Sequence, residues 1–188
     1  MDTLEAIKMR ASLKMRISTR QVESEKIKKI LDAARLAPSA RNFQPWRFIV
    51  LNDRERIETL IKGAFSEGNL IFSKAPVVIV ACANPSDDVV RDGKEYYLHD
   101  VGMAVENMLL AATELGLVTH PATGLNEKGE SELKRILGIP DEVRFVVATP
   151  VAYPVEGSYE EAAQERLSER TRKDLKELVY LNAWGRSL

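Results

Sequence analysis

Eight consecutive residues, Pro76-Val-Val-Ile-Val-Ala-Cys-Ala83, carry no charged or strongly polar side chain. A strand with one wet face alternates apolar and polar residues. An unbroken run of this length therefore predicts a central strand covered on both faces. It is far shorter than the ~20 residues that cross a bilayer. Around it, helical patches alternate with short β-branched runs, which predicts a layered α/β or α+β domain.

The remaining elements follow from periodicity and stop signals. Asp2–Met9 reads as a short helix. Ser24–Ala37 reads as a second, with Ile27, Ile30, Leu31 and Ala34 on one stripe and Pro38 as its stop. Trp46–Leu51 reads as a strand. Asn52 and Asp53 offer a cap for a helix running to about Lys62 and closing at Gly63. Tyr96–Leu115 is apolar almost all round and closes at Gly116, which predicts burial in the domain or in a subunit interface. A helix at Glu130–Leu137 leads to a strand at Phe145–Ala152, and a charged tail runs from Gly157 to Leu188. Late in that tail Leu178, Val179, Tyr180, Leu181 and Trp184 cluster, so the end of the chain is expected to pack on something, such as a partner subunit.

Composition narrows the function classes. The 188 residues fit one domain spanning 1–188, and 45% apolar residues suffice for a core. Lys and Arg (27) balance Asp and Glu (28), so nucleic acid is a poor partner. The N-terminus lacks a charged-then-apolar leader pattern, which predicts a cytoplasmic protein with no membrane partner. Cys82 alone makes no disulfide framework, and no Cys/His spacing suits a metal.

Three clusters could carry chemistry. In Arg10-Ala-Ser-Leu-Lys14 donors recur at every second residue; an extended segment would turn Arg10, Ser12 and Lys14 to one side, toward a phosphate or other anion. Spacing alone favours a solvated helix edge instead. Ala37–Trp46 holds Ser39, Arg41, Asn42 and Gln44 between two prolines. It reads equally as a ligand loop or as a well-fixed helix–strand turn. Arg170-Thr-Arg172-Lys173 suits phosphate oxygens, although most charge runs are only solvated faces. His99, His120 and mid-strand Cys82 read as structural. No dinucleotide glycine motif, phosphate loop or serine-hydrolase elbow is present.

In this order the clusters resemble the flavin-dependent nitroreductase family. Arg10, Ser12 and Lys14 match its opening Arg-x-Ser-x-Arg/Lys. Ala37–Trp46 matches its Ala-Pro-Ser-x-x-Asn-x-Gln-Pro-Trp segment in full. Further matches are the strand after Ala75-Pro76, Glu114-Leu-Gly-Leu117, Leu137-Gly-Ile-Pro140, Tyr153-Pro154 and the closing basic segment before Leu175–Val179. The likeness covers nearly the whole chain.

The resemblance implies an α+β, nitroreductase-like three-layer sandwich: a mixed, mainly antiparallel sheet between helices, with the tail exchanged across a homodimer. It implies FMN at the subunit interface, NADH or NADPH as electron donor, and a small electron-poor acceptor such as a nitroaromatic or quinone. Hydride would pass through flavin N5 in a ping-pong cycle, with no catalytic side chain beyond an electrostatic part for Lys14. By the same resemblance Arg10 and Ser12 meet the ribityl-phosphate, and Lys14 lies near the pyrimidine edge. Pro38, Ser39, Ala40 and Asn42 reach over from the other subunit, and Asn69 places an amide at the ring. The loop Pro121, Ala122, Thr123 and Gly124 lies against the ring and gives backbone N–H groups near N5 from its non-proline residues, while Arg170 and Arg172 complete the phosphate clamp. A flavin carrier, a flavin-consuming enzyme or a dehalogenase of the same fold is the alternative. Two positions depart from the family: Ala11, where many members have arginine, and Arg16, where many have an aromatic.

Overall fold

The computed structural model describes residues 1–12, 17–155, 164–165 and 167–186. In chain order it contains α1 (Thr3–Met9), α2 (Ser24–Arg35), β1 (Trp46–Leu51), α3 (Arg54–Ala64), β2 (Val77–Ala83), a hairpin of β3 (Val90–Arg91) and β4 (Lys94–Glu95), α4 (Tyr97–Glu114), β5 (Val118–Thr119), α5 (Gly129–Leu137) and β6 (Arg144–Ala152). A one-turn helix, Leu175–Leu178, follows in the tail.

The apolar run is the middle of the molecule. β2 is buried at every position and lies between β1 and β6 in a sheet ordered β1-β2-β6-β5. All three pairings are antiparallel, and a parallel bridge joins Ser12 to Thr119 at the β5 edge. Alternate β2 residues feed different cores. Val77, Ile79, Ala81 and Ala83 pack with Ile30 and Ala34 of α2 and Val101, Ala104 and Met108 of α4. Val78, Val80 and Cys82 pack with Ile57, Leu60 and Ile61 of α3, Leu133 of α5, and Phe72. The period of two is invisible in the sequence because both faces are dry. Burial pushes the Cys82 thiol up to about 12, which leaves it an inert core group.

Several expectations shift. α2 ends at Arg35, two residues before Ala37. Asp53 does cap α3, its side chain accepting the Arg56 N–H at 2.8 Å. Gly63, however, lies inside α3 and does not end it. A Cβ at Gly63 would sit 2.9 Å from Ile136 Cδ1, so the missing side chain lets α3 and α5 approach. α4 is buried on one face only; Leu98 and Met103 face outward. The β3–β4 hairpin was not legible, because its strands are short, exposed and charged. Its turn is Asp92-Gly93, with φ of +54° and +73°. Lys14, Arg16 and the tail from Gly157 to Ala163 lie outside the described residues.

Glu130 ties the start of α5 to β6. It receives Arg144 Nη2 at 3.1 Å and the Phe145 N–H at 2.8 Å. Burial opposes its ionisation, yet Arg144 and Phe145 outweigh that and hold the carboxyl below its ordinary value near 4.5. A depressed carboxyl contributes stability above its unfolded value and loses it as pH falls through the folded one. Glu130→Gln is therefore expected to cost about 1–2 kcal/mol at neutral pH. Urea melts should show that gap narrowing as pH drops below 4.5.

Candidate cofactor site

α1 ends at Arg10 because that residue leaves helical geometry (φ −57°, ψ +117°), and the chain continues extended to Ser12. Ser12 then bridges Thr119, which seats this segment along β5. The tail returns here. Arg170 Nη2 donates to the Lys8 carbonyl at 2.9 Å and Nη1 to the Arg10 carbonyl at 3.3 Å, satisfying carbonyls that the end of α1 leaves open. Arg10, Ser12, Arg170 and Arg172 line one cavity of about 230 Å³, together with Ala11, Glu169 and Thr171. Residues separated by about 160 positions thus form a single basic recess. Arg10 is held in place by Ser12 Oγ at 3.5 Å and by Glu106 of α4 at 3.7 Å. Ala11 is buried in the core, so the recess draws no cation from that position.

Beyond Thr119 the chain forms the Pro121–Gly124 loop. Ala122 pairs with Ala148 of β6 through both backbone hydrogen bonds, at 2.8 and 3.0 Å. Its N–H is therefore spent, contrary to the expectation that it serves a ligand. The N–H groups of Thr123 and Gly124 donate to no described residue. Asn69, buried in the 3₁₀ segment Glu67–Lys74, donates Nδ2 to the Gly124 carbonyl at 2.9 Å. Ser66 donates to the same oxygen through N–H and Oγ, each at 3.1 Å. A Cβ at Gly124 would lie 3.0 Å from Asn69 Nδ2 and 3.1 Å from Ser66 Oγ, so any other residue here would make both side chains give by a few tenths of an ångström. Asn69 thus acts on the loop through its nitrogen. The Phe72 ring, one turn on, packs at 5.1 Å from the His120 ring.

The Pro38–Asn42 loop stands apart. Among the described residues no hydrogen bond or ion pair joins it to the basic recess. Ser39 Oγ accepts the Gln44 N–H at 3.0 Å, and Ala40 N–H donates to Asp100 Oδ2 at 2.7 Å. Pro38 and Asn42 are exposed, as is the Phe43 side chain. Arg172 is exposed as well, with Nη1 on the Thr171 carbonyl at 2.7 Å. Asp100 escaped the sequence reading. The available signal was an acidic residue on the apolar stripe of α4, in register with Ala104 and Met108.

The donor set suits a phosphorylated, polar-edged ligand: guanidinium groups and a hydroxyl at one end, free amides at the other. Comparison with known proteins decides the family. The nitroreductase family model matches residues 7–71 and 67–153. The chain belongs to the nitroreductase family. That family is flavin-dependent. A protein of Archaeoglobus fulgidus provisionally named NADH dehydrogenase/NAD(P)H nitroreductase is 37% identical over 158 residues, covering 81% of this chain and 86% of that protein. An iodotyrosine deiodinase of Haliscomenobacter hydrossis is 31% identical over 172 residues, covering 75% of this chain and 74% of its own. The crystal structure of a nitroreductase family protein from Clostridium difficile 630 superposes with a TM-score of 0.81 at 31% identity, covering 97% of this chain and 99% of that one. The sandwich and its antiparallel sheet are therefore the nitroreductase fold. Among the described residues no helix is long and apolar enough to cross a membrane, and no His/Cys/Asp/Glu group could hold a metal ion.

Proposed function

We propose that this nitroreductase family chain binds FMN and works as an NAD(P)H-dependent oxidoreductase of small electron-poor acceptors, nitroaromatics or quinones among them. The observation that carries this reading is the basic recess, where the end of α1 and the returning tail set Arg10, Ser12, Arg170 and Arg172 around one cavity. A phosphate monoester is close to a dianion at neutral pH, and guanidinium forks match its oxygens.

When bound, the flavin supplies the hydride-accepting and hydride-donating centre, so the protein needs no nucleophile or acid–base pair. The chain's own residues bind and orient. Arg10, Arg170 and Arg172 neutralise the phosphate, and Ser12 adds a hydroxyl donor. Thr123 and Gly124 offer backbone N–H groups to the ring edge, and Asn69 fixes their orientation through the Gly124 carbonyl. By the family resemblance, Lys14 would bring positive charge to the pyrimidine edge, where a reduced ring carries negative charge. Pro38, Ser39, Ala40 and Asn42 complete the site from a second copy of the chain. Their separation from the recess within one chain supports that assignment. So does the exposed apolar surface: Leu4 and Ile7 of α1, Leu98 and Met103 of α4, and Leu178, Leu181 and Trp184 of the tail. Trp184, 90% exposed in one chain, is a side chain a dimer would cover.

The purified protein is expected to show oxidised-flavin absorption, to release about one FMN per chain on heating, and to bleach anaerobically with NADH or NADPH. A colourless protein that takes up no added FMN would overturn the reading. The deiodinase relative favours one second reading, reductive dehalogenation by the same site. Halide release from a halogenated phenol, without turnover of nitroaromatics or quinones, would select it.

A further inference from the structure

Asp100 is 2% exposed, yet it bears a backbone of the candidate site: its Oδ2 accepts the Ala40 N–H at 2.7 Å. Ala40 opens a tight turn in which Arg41, Asn42 and Gln44 have φ of +50°, +60° and +51°. Beside Asp100 lies Asp88, in the stretch between β2 and β3. Its Oδ1 accepts the Val89 N–H at 2.6 Å. Its Oδ2 is shielded from water and no described donor reaches it. The side chain within hydrogen-bonding reach is the Asp100 carboxyl. Two carboxylates so placed have acceptors on both sides and no hydrogen between them. One retained proton removes both the orphaned oxygen and the like-charge contact.

We propose that Asp88 keeps its proton and donates it from Oδ2 to Asp100, so that the pair holds the Ser39–Gln44 turn by its Ala40 N–H. Asp88 and Asp100 are positioning residues. The charged group facing Asp88 from α4 is Asp100, while Arg47 of β1 is engaged by neighbouring Asp87 at 3.3 Å. Burial, and then the Asp100 charge, hold the Asp88 carboxyl above its ordinary value. A raised carboxyl favours the folded arrangement at low pH and loses that contribution as pH rises through the folded value. Loss of the shared proton then sets two carboxylates against each other and slackens the turn. The consequence for the cofactor rests on the FMN reading above, but the shared proton does not.

The test is amide hydrogen exchange at Ala40 in the flavin-free protein, corrected for intrinsic rates, across a pH series. Wild type should be protected and lose protection as pH rises. Asp88→Asn supplies an Nδ2–H in place of the proton and should keep protection at every pH. Asp88→Ala should lose about tenfold or more, the equivalent of one hydrogen bond. An Asp88→Asn profile that follows wild type, or an Asp88→Ala protein with unchanged protection, would overturn the proposal. If the variants do not fold, the infrared spectrum of folded wild type decides. It should show a protonated-carboxyl C=O stretch that outlasts those of the exposed carboxyls as pH rises, and absence of such a band overturns the assignment. An FMN-free protein with the expected exchange pattern would leave the pair standing and remove only the flavin reading.

Discussion

Arg170→Ala is expected to weaken FMN binding by about ten- to a hundredfold while leaving riboflavin binding unchanged, because a hydrogen bond to a charged group contributes about 1.5–3 kcal/mol. A guanidinium has five N–H donors. Arg170 directs two of them at the Lys8 and Arg10 carbonyls, which fixes its plane and leaves the rest of the fork for an anion. Lysine would restore charge without the fork, so Arg170→Lys should recover part of the loss and no more. Fluorescence titration of the flavin-free protein with FMN and with riboflavin separates phosphate recognition from ring recognition. Equal losses for both ligands would mean that Arg170 only pins the tail to α1. Arg172→Ala makes a useful comparison. Its contact is with the neighbouring Thr171 carbonyl, so it contributes charge without a built geometry, and a smaller loss is expected.

The second large effect concerns stability. Phe72→Ala should destabilise the fold by about 3–5 kcal/mol, since an aromatic truncated in a filled core leaves a cavity that its neighbours close only in part. Phe72 is 1% exposed and belongs to the core formed with α3, α5 and the even face of β2. It also lies one turn from Asn69 and against His120. The same change should therefore loosen the Gly124 junction. Urea unfolding would show a lower midpoint at an unchanged slope, against a total stability of about 5–15 kcal/mol. A loss below about 1 kcal/mol would mean that the site collapses around the gap.

The elements were legible where periodicity and punctuation agree. Trp46–Leu51 has the expected bounds, and β2 begins one residue after Pro76, which cannot donate to a ladder. α5 and β6 each start one residue earlier than expected. Gly63 misled because glycine in a sequence reads as a terminator, whereas here its missing Cβ serves contact with Ile136, a residue far along the chain. The residues of the basic recess were readable as types but not as a set. Their convergence depends on the tail crossing back to the Lys8 and Arg10 carbonyls, a contact that no local pattern encodes. The engagement of the Ala122 N–H and the pairing of Asp88 with Asp100 were invisible for the same reason. Each is decided by what a distant strand or helix presents.

The left-handed residues of the Ser39–Gln44 turn have a consequence for affinity. Arg41 and Gln44 depart from the backbone well that their residue types prefer, at roughly 1–2 kcal/mol apiece, while Asn42 tolerates it at less. That cost falls on folding and is carried by the cores described above. A molecule arriving at this turn meets groups already immobilised, so little of its binding energy goes to ordering them. The protein gives up some thermal reserve to keep this surface preorganised, and a glycine at Arg41 would reverse the exchange.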